Sequence, residues 1–156
     1  MSIYAKTLAA ALCLIAFNIE AVPAQAPASG CSRDKGYYFC NKSQFTTALK
    51  NAGIVSIETH PFNQISTKAL EDLARGLGKS VQSDSAQLTF VLAPGDAEGL
   101  YFGPNDRELA RLSVFSRGPK GELGQLIWVE SFIGQPDMSW PVVVRGLIQQ
   151  FKADLK

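Results

Sequence analysis

Residues 54–92 read IVSIETHPFNQISTKALEDLARGLGKSVQSDSAQLTFVL, and the alternation of elements within them decides the fold. Ile54 to Thr59 is short and rich in β-branched residues, which suits a strand. Ala69, Leu70, Leu73, Ala74 and Leu77 then recur at helical spacing as one apolar stripe, leaving Glu71, Asp72, Arg75 and Lys79 to face water. Ser66 is expected to cap this helix, with Ile65 and Leu70 as a hydrophobic staple across the cap, and Gly78 ends it. Leu88, Phe90 and Leu92 alternate with Gln87, Thr89 and Val91 until Pro94-Gly95 stops the run. Strand, helix, strand is the order of a crossover unit, right-handed where the two strands are parallel.

The flanks extend this unit. Downstream, Leu109 to Ser116 and Gln125 to Ile133 read as strands joined through Gly118-Pro119-Lys120-Gly121, with proline at the second position of a type I turn, so they should pair as a hairpin. Trp140, Val143, Val144, Leu147, Ile148, Phe151 and Leu155 describe a final helical stripe, with Ser139 or Asp137 as cap and Pro141 in the first turn. Upstream, Ser43 is expected to cap a short helix carrying Phe45, Ala48, Leu49 and Ala52. The sum is an α+β two-layer sandwich, a mixed or antiparallel sheet of about four strands covered by two or three helices.

Before this comes an export signal. Lys6 supplies positive charge, Thr7 to Ile19 is apolar apart from Asn18, and Ala24-Gln25-Ala26 has the small-x-small pattern cut by signal peptidase. The apolar run falls short of the roughly 20 residues that span a bilayer. Residues 1–26 are therefore expected to be a cleaved signal peptide, 27–42 a linker with a disulfide loop, and 43–156 a single α+β domain. Cleavage removes Cys13 and leaves Cys31 and Cys40, nine positions apart, an even count that suits a structural bridge in an oxidising compartment. Redox catalysis would call for Cys-x-x-Cys. A lipid anchor on Cys31 would need the cysteine directly after the apolar run, and Cys31 lies well beyond Ile19.

The net charge is +1, and losing Lys6 and Glu20 does not change it. That balance gives no electrostatic footprint for nucleic acid or an anionic membrane. Gly78-Lys79-Ser80 matches the end of a phosphate-binding loop, but the required earlier glycine is Leu73 and the segment closes a helix instead of opening one. Asp96, Glu98, Asp106 and Glu108 share a loop without the spacing calcium demands, so solvated acids are expected. His60 is the only histidine and has neither a Gly-x-Ser-x-Gly nucleophile nor a zinc ligand set around it; a surface residue is expected. Asn41-Lys42-Ser43 is a glycosylation sequon, meaningful only in a eukaryotic secretory pathway. No catalytic residue, cofactor site or metal site is expected.

Aromatic residues offer the remaining signal. Tyr101 and Phe102 follow Leu100 in a long loop, where a partner contact competes with anchoring to the core. Trp128 and Phe132 share a strand face with Glu130, and with Trp140 they are expected to centre the sheet–helix interface, or to bind a partner where exposed.

The hairpin, the Leu126-Ile127-Trp128-Val129-Glu130-Ser131 strand and a final amphipathic helix bearing Gln150-Phe151-Lys152 resemble small periplasmic domains of bacterial envelope lipoproteins. That group includes lipoproteins with domains of unknown function, penicillin-binding-protein activators and the curli secretion lipoprotein, and the likeness covers Ile54 to Lys156. It implies an envelope assembly or binding role with another envelope protein as partner, and no enzymatic residues. The departure is that those relatives are usually lipidated, whereas Cys31 here is expected in a disulfide. A carrier with a cavity between sheet and helices, and a small secreted hydrolase, are the alternative expectations.

Overall fold

The computed structural model describes residues 30–35, 37–95 and 106–156. The signal peptide expected at 1–26 and the Tyr101-Phe102 contact lie outside them. The chain runs β1 (Cys31–Asp34), β2 (Tyr37–Cys40), α1 (Lys42–Asn51), β3 (Ile54–Thr59), α2 (Gln64–Gly76), β4 (Ser80–Val81), β5 (Leu88–Pro94), β6 (Arg107–Arg117), β7 (Leu123–Gly134) and α3 (Trp140–Asp154).

The architecture is an α+β sandwich: a five-stranded mixed sheet in the order β4-β3-β5-β6-β7 packs against the helices. β3 pairs with β5 in parallel, Val55 opposite Leu88 and Thr59 opposite Leu92, so α2 connects two parallel neighbours. β5–β6 and β6–β7 are antiparallel, and the Gly121 amide closes the expected turn onto the Gly118 carbonyl at 3.0 Å. Two additions were not legible in the sequence. The two-residue β4 extends the parallel edge beside β3, and β1 and β2 form a separate antiparallel pair where only a linker with a disulfide loop was expected.

Period-two alternation sends Phe90 and Leu92 of β5, and Ala110, Leu112 and Val114 of β6, into the helix side of the sheet, where all are buried. Their ring partners come from α1 and α3. Phe45 stacks on Trp128 at 4.7 Å between centroids, and Phe151 meets both Phe45 and Phe90 edge-on. The aromatic centre is therefore built from Phe45, Phe90 and Phe151 with Trp128 beside them. Phe132 and Trp140 flank it, partly buried.

Ser139 stands at the N-cap of α3 as expected, with Pro141 in its first turn, but the caps of α1 and α2 differ from expectation. Asn41, not Ser43, caps α1, its side chain accepting from the Gln44 amide at 3.1 Å. Asn63, not Ser66, caps α2 and accepts from the Ile65 and Ser66 amides at 2.9 and 3.2 Å. Asparagine serves because its carbonyl oxygen reaches the orphan amides of the first turn. Starting the helix earlier places Ser66 inside it and leaves Ile65 half exposed, so the staple does not form. Gly78 does stop α2, at φ +70°, a left-handed conformation that favours glycine.

Candidate functional site

The sheet face turned away from the helices carries the polar residues of β6, because Arg111 and Ser113 alternate with the buried Ala110 and Leu112. A register shift between Glu108 and Ala110 sets Glu108 opposite Ile133. This irregularity turns Glu108 onto the Arg111 side, as bulges do when they re-aim a side chain. Arg111 Nε donates to Glu108 Oε1 at 2.9 Å, its Nη2 pairs with Oε2, and the Ser131 hydroxyl donates to Oε1. Glu108 is buried, so the expectation of a solvated loop acid is corrected: the bulge carries it inward, and the guanidinium makes ionised burial tolerable. Asp106 is exposed, whereas Asp96 and Glu98 lie outside the described residues.

This cluster anchors the β1–β2 hairpin beside β7. Two guanidiniums lie over the Tyr38 ring, Arg33 at 5.3 Å and Arg111 at 5.2 Å from its centroid, close enough for cation–π attraction. Cys31 and Cys40 sit opposite each other in the hairpin register and are joined by a disulfide. Since successive strand residues point to opposite faces, directing Tyr38 inward directs Tyr37 and Phe39 outward. Both are exposed, at 45% and 60%. A short hairpin, closed covalently at its base and held at its centre by Tyr38, thus carries two aromatic side chains on its outer face.

A second polar row crosses the same sheet face. Thr89, fully buried, shares a 2.7 Å hydrogen bond with Ser56 and accepts from Arg117 Nε at 2.9 Å. Arg117 also donates to the Ser83 carbonyl and faces Glu58 at 3.8 Å, which in turn lies 3.5 Å from His60. The hydroxyls here bond to Arg117 and to each other, with His60 exposed at the far end. The row fastens the loop after β4 to the sheet; it does not set a base against a nucleophile in the manner of acyl-transfer sites. Gly78-Lys79-Ser80 closes α2 and enters β4, the geometry opposite to a phosphate cradle. Among the described residues, no group of three or more His, Cys, Asp or Glu side chains is placed to hold a metal ion.

No family model matches the chain, and no curated protein does. Function must therefore be read from the site itself.

The two tryptophans expected as partner contacts are both partly buried. Trp140 Nε1 donates to Ser66 Oγ at 2.9 Å, tying the start of α3 to α2. Trp128 stacks on Phe45, and its buried Nε1 has no hydrogen-bond partner of good geometry, though it lies near enough to the Glu130 carboxyl to favour the charged form. Glu130 itself accepts from Gln150 Nε2 at 2.7 Å. Burial first, and the neighbouring Asp154 carboxyl second, push Glu130 up to about 7 from its usual 4.5. Among the described residues, the aromatics most open to solvent are Phe62, alone in the turn before α2, and Tyr37 and Phe39, side by side inside the disulfide loop. The Tyr37-Tyr38-Phe39 run beside Cys40 names the hairpin candidates in the sequence, but which of the three face outward follows only once residues 37–40 are known to form a strand.

Proposed function

We propose that this protein is an exported, non-enzymatic binding module of the bacterial cell envelope, and that its hairpin grips another envelope protein through Tyr37 and Phe39. The observation carrying this reading is the exposure of those two rings on a hairpin locked by Cys31–Cys40 and by the Tyr38 clamp. Aromatic anchors dominate interface energetics, and holding them rigid before contact lowers the entropy lost on binding. A disulfide accords with the oxidising compartment to which residues 1–26 would deliver the chain. No helix among the described residues is long and apolar enough to cross a membrane. The resemblance to periplasmic domains of envelope lipoproteins points the same way. A carrier would need room between sheet and helices, and Phe45, Phe90, Leu112 and Phe151 occupy that space.

The test is photo-crosslinking in bacterial cells with a photoreactive residue at position 39, compared with one at exposed position 75 on α2. A discrete protein adduct from position 39, weakened by Tyr37→Ala and absent from position 75, supports the reading. N-terminal sequencing of the product should begin at Pro27. Cytoplasmic retention, or no adduct at position 39, would overturn it.

A further inference from the structure

A different surface, on the far side of the molecule's helix layer, carries an inference of its own. α2 and α3 run parallel: Trp140 reaches Ser66 near their starts, and the Lys152 ammonium lies over the last turn of α2, 3.9 Å from where a Cβ on Gly76 would stand. Between them is an elongated groove of about 480 Å³. Its floor is apolar, formed by Ala69 and Leu73 from α2 and by Val144 and Ile148 from α3. Ile65, half exposed, and Pro141 continue the apolar strip to one end. The spacing Ile65, Ala69, Leu73 is a ridge of every fourth residue, so the depression beside it is the kind that receives the ridge of another helix.

The walls are charged unevenly. Lys68, Arg145 and Lys152 line the groove against the single carboxylate Asp72, an excess of positive charge in a chain whose net charge is only +1. Asp72 is already engaged by Lys68 at 3.5 Å and Arg75 at 2.9 Å. Arg145 and Lys152, both exposed on α3, make no ion pair among the described residues. A flat lipid surface would meet these charged walls before reaching the recessed floor. A helix narrow enough to lie between them would bury its apolar stripe and set flanking carboxylates beside Arg145 and Lys152.

We infer that the α2–α3 groove docks an amphipathic helix of a partner protein, its apolar stripe seated on Ala69 and Ile148 and its acidic flank paired with Arg145 and Lys152. The groove follows α3 for about three turns, at roughly 5.4 Å per turn, so a partner segment of three to four turns fills it. This site is separate from the Tyr37–Phe39 hairpin and stands whether or not that hairpin binds anything.

The experiment uses two dye-labelled helical peptides of about 18 residues, long enough to populate helix. They share one leucine stripe and differ in carrying glutamate or lysine along its flank. Fluorescence anisotropy with the purified protein at low salt should show the glutamate peptide binding at least about tenfold more tightly, with the difference shrinking at high salt. The exposed charge swap Arg145→Glu/Lys152→Glu should reverse the preference, and Ala69→Arg, which fills the floor, should weaken both peptides. Thermal unfolding checks that each variant is folded. Tyr37→Ala/Phe39→Ala should leave peptide binding intact; loss of binding there would move the peptide to the hairpin and overturn the inference. Equal binding of the two peptides would overturn it, as would a preference insensitive to the swap. Swap-sensitive capture by phosphatidylglycerol vesicles with neither peptide bound would assign the groove to lipid instead.

Discussion

At the scale of single residues, Glu130 is the most informative position. It stands on the helix side of β7 opposite Leu112, 6% exposed, with Gln150 and Asp154 approaching from α3. Its carboxyl titrates near 7 in the fold and near 4.5 when unfolded. The folded state therefore binds the extra proton between those values. The stability this contributes is complete below about pH 4.5 and is lost as pH rises through 7, where the fold must hold a buried carboxylate. The shift corresponds to roughly 3 kcal/mol at most, at 1.36 kcal/mol per unit. Thermal unfolding should show a melting temperature that falls between pH 5 and pH 8, and Glu130→Gln should flatten that profile and exceed the parent at pH 8. A parent profile flat across the range would refute this. The sequence placed Glu130 on one strand face with Trp128 and Phe132, and that holds; its burial was hidden because Gln150 and Asp154 come from a helix twenty and more residues away.

At the scale of elements, the caps and the hairpin mark what local pattern could and could not reveal. Helical stripes depend on many residues and survive one ambiguous position, so all three helices were legible. Caps depend on a single side chain, and Asn63 and Ser66 both have the right chemistry three positions apart. Asn63→Ala should cost about 1 kcal/mol by leaving first-turn amides without an acceptor. Ser66→Ala should cost a comparable amount by another route, since it orphans the Trp140 indole donor, about 1–3 kcal/mol for a buried polar group. Tryptophan fluorescence separates the two: only Ser66→Ala should shift the Trp140 emission. For the hairpin, Cys31→Ser/Cys40→Ser removes a cross-link worth up to about 2–3 kcal/mol for so short a loop. That loss should fall on the hairpin itself, so hydrogen exchange at residues 31–40 should quicken much more than exchange in β5 or β6. The Cys31–Cys40 pairing could be read from the sequence by counting; the two strands inside it could not, because four residues each are too few to display a period.

At the scale of the whole molecule, the layered arrangement followed from element order, but the way the layers meet rests on a contact that no periodicity reveals. Gly146 sits in the middle of α3, where glycine costs the helix up to about 1 kcal/mol relative to alanine. Propensity alone therefore recommends Gly146→Ala as a stabilising change. The packing reverses that sign. A Cβ at Gly146 would stand 2.3 Å from Phe132 Cε2 and 2.8 Å from its Cζ, so the absence of a side chain is what lets the Phe132 ring of β7 lie against the helix. Gly146→Ala must push the ring aside or lift α3 from the sheet, and overpacking of this kind costs about 1–3 kcal/mol, more than the propensity gained. Phe132→Ala alone should also destabilise, by removing a partly buried ring from the sheet–helix seam. The double variant decides between steric contact and independent effects. If the ring and the Cβ compete for one space, Gly146→Ala should become neutral or stabilising once Phe132 is alanine, because only the helix-propensity term remains. Chemical denaturation of the four proteins measures this coupling directly. Strict additivity would mean that α3 does not dock on β7 through this pair.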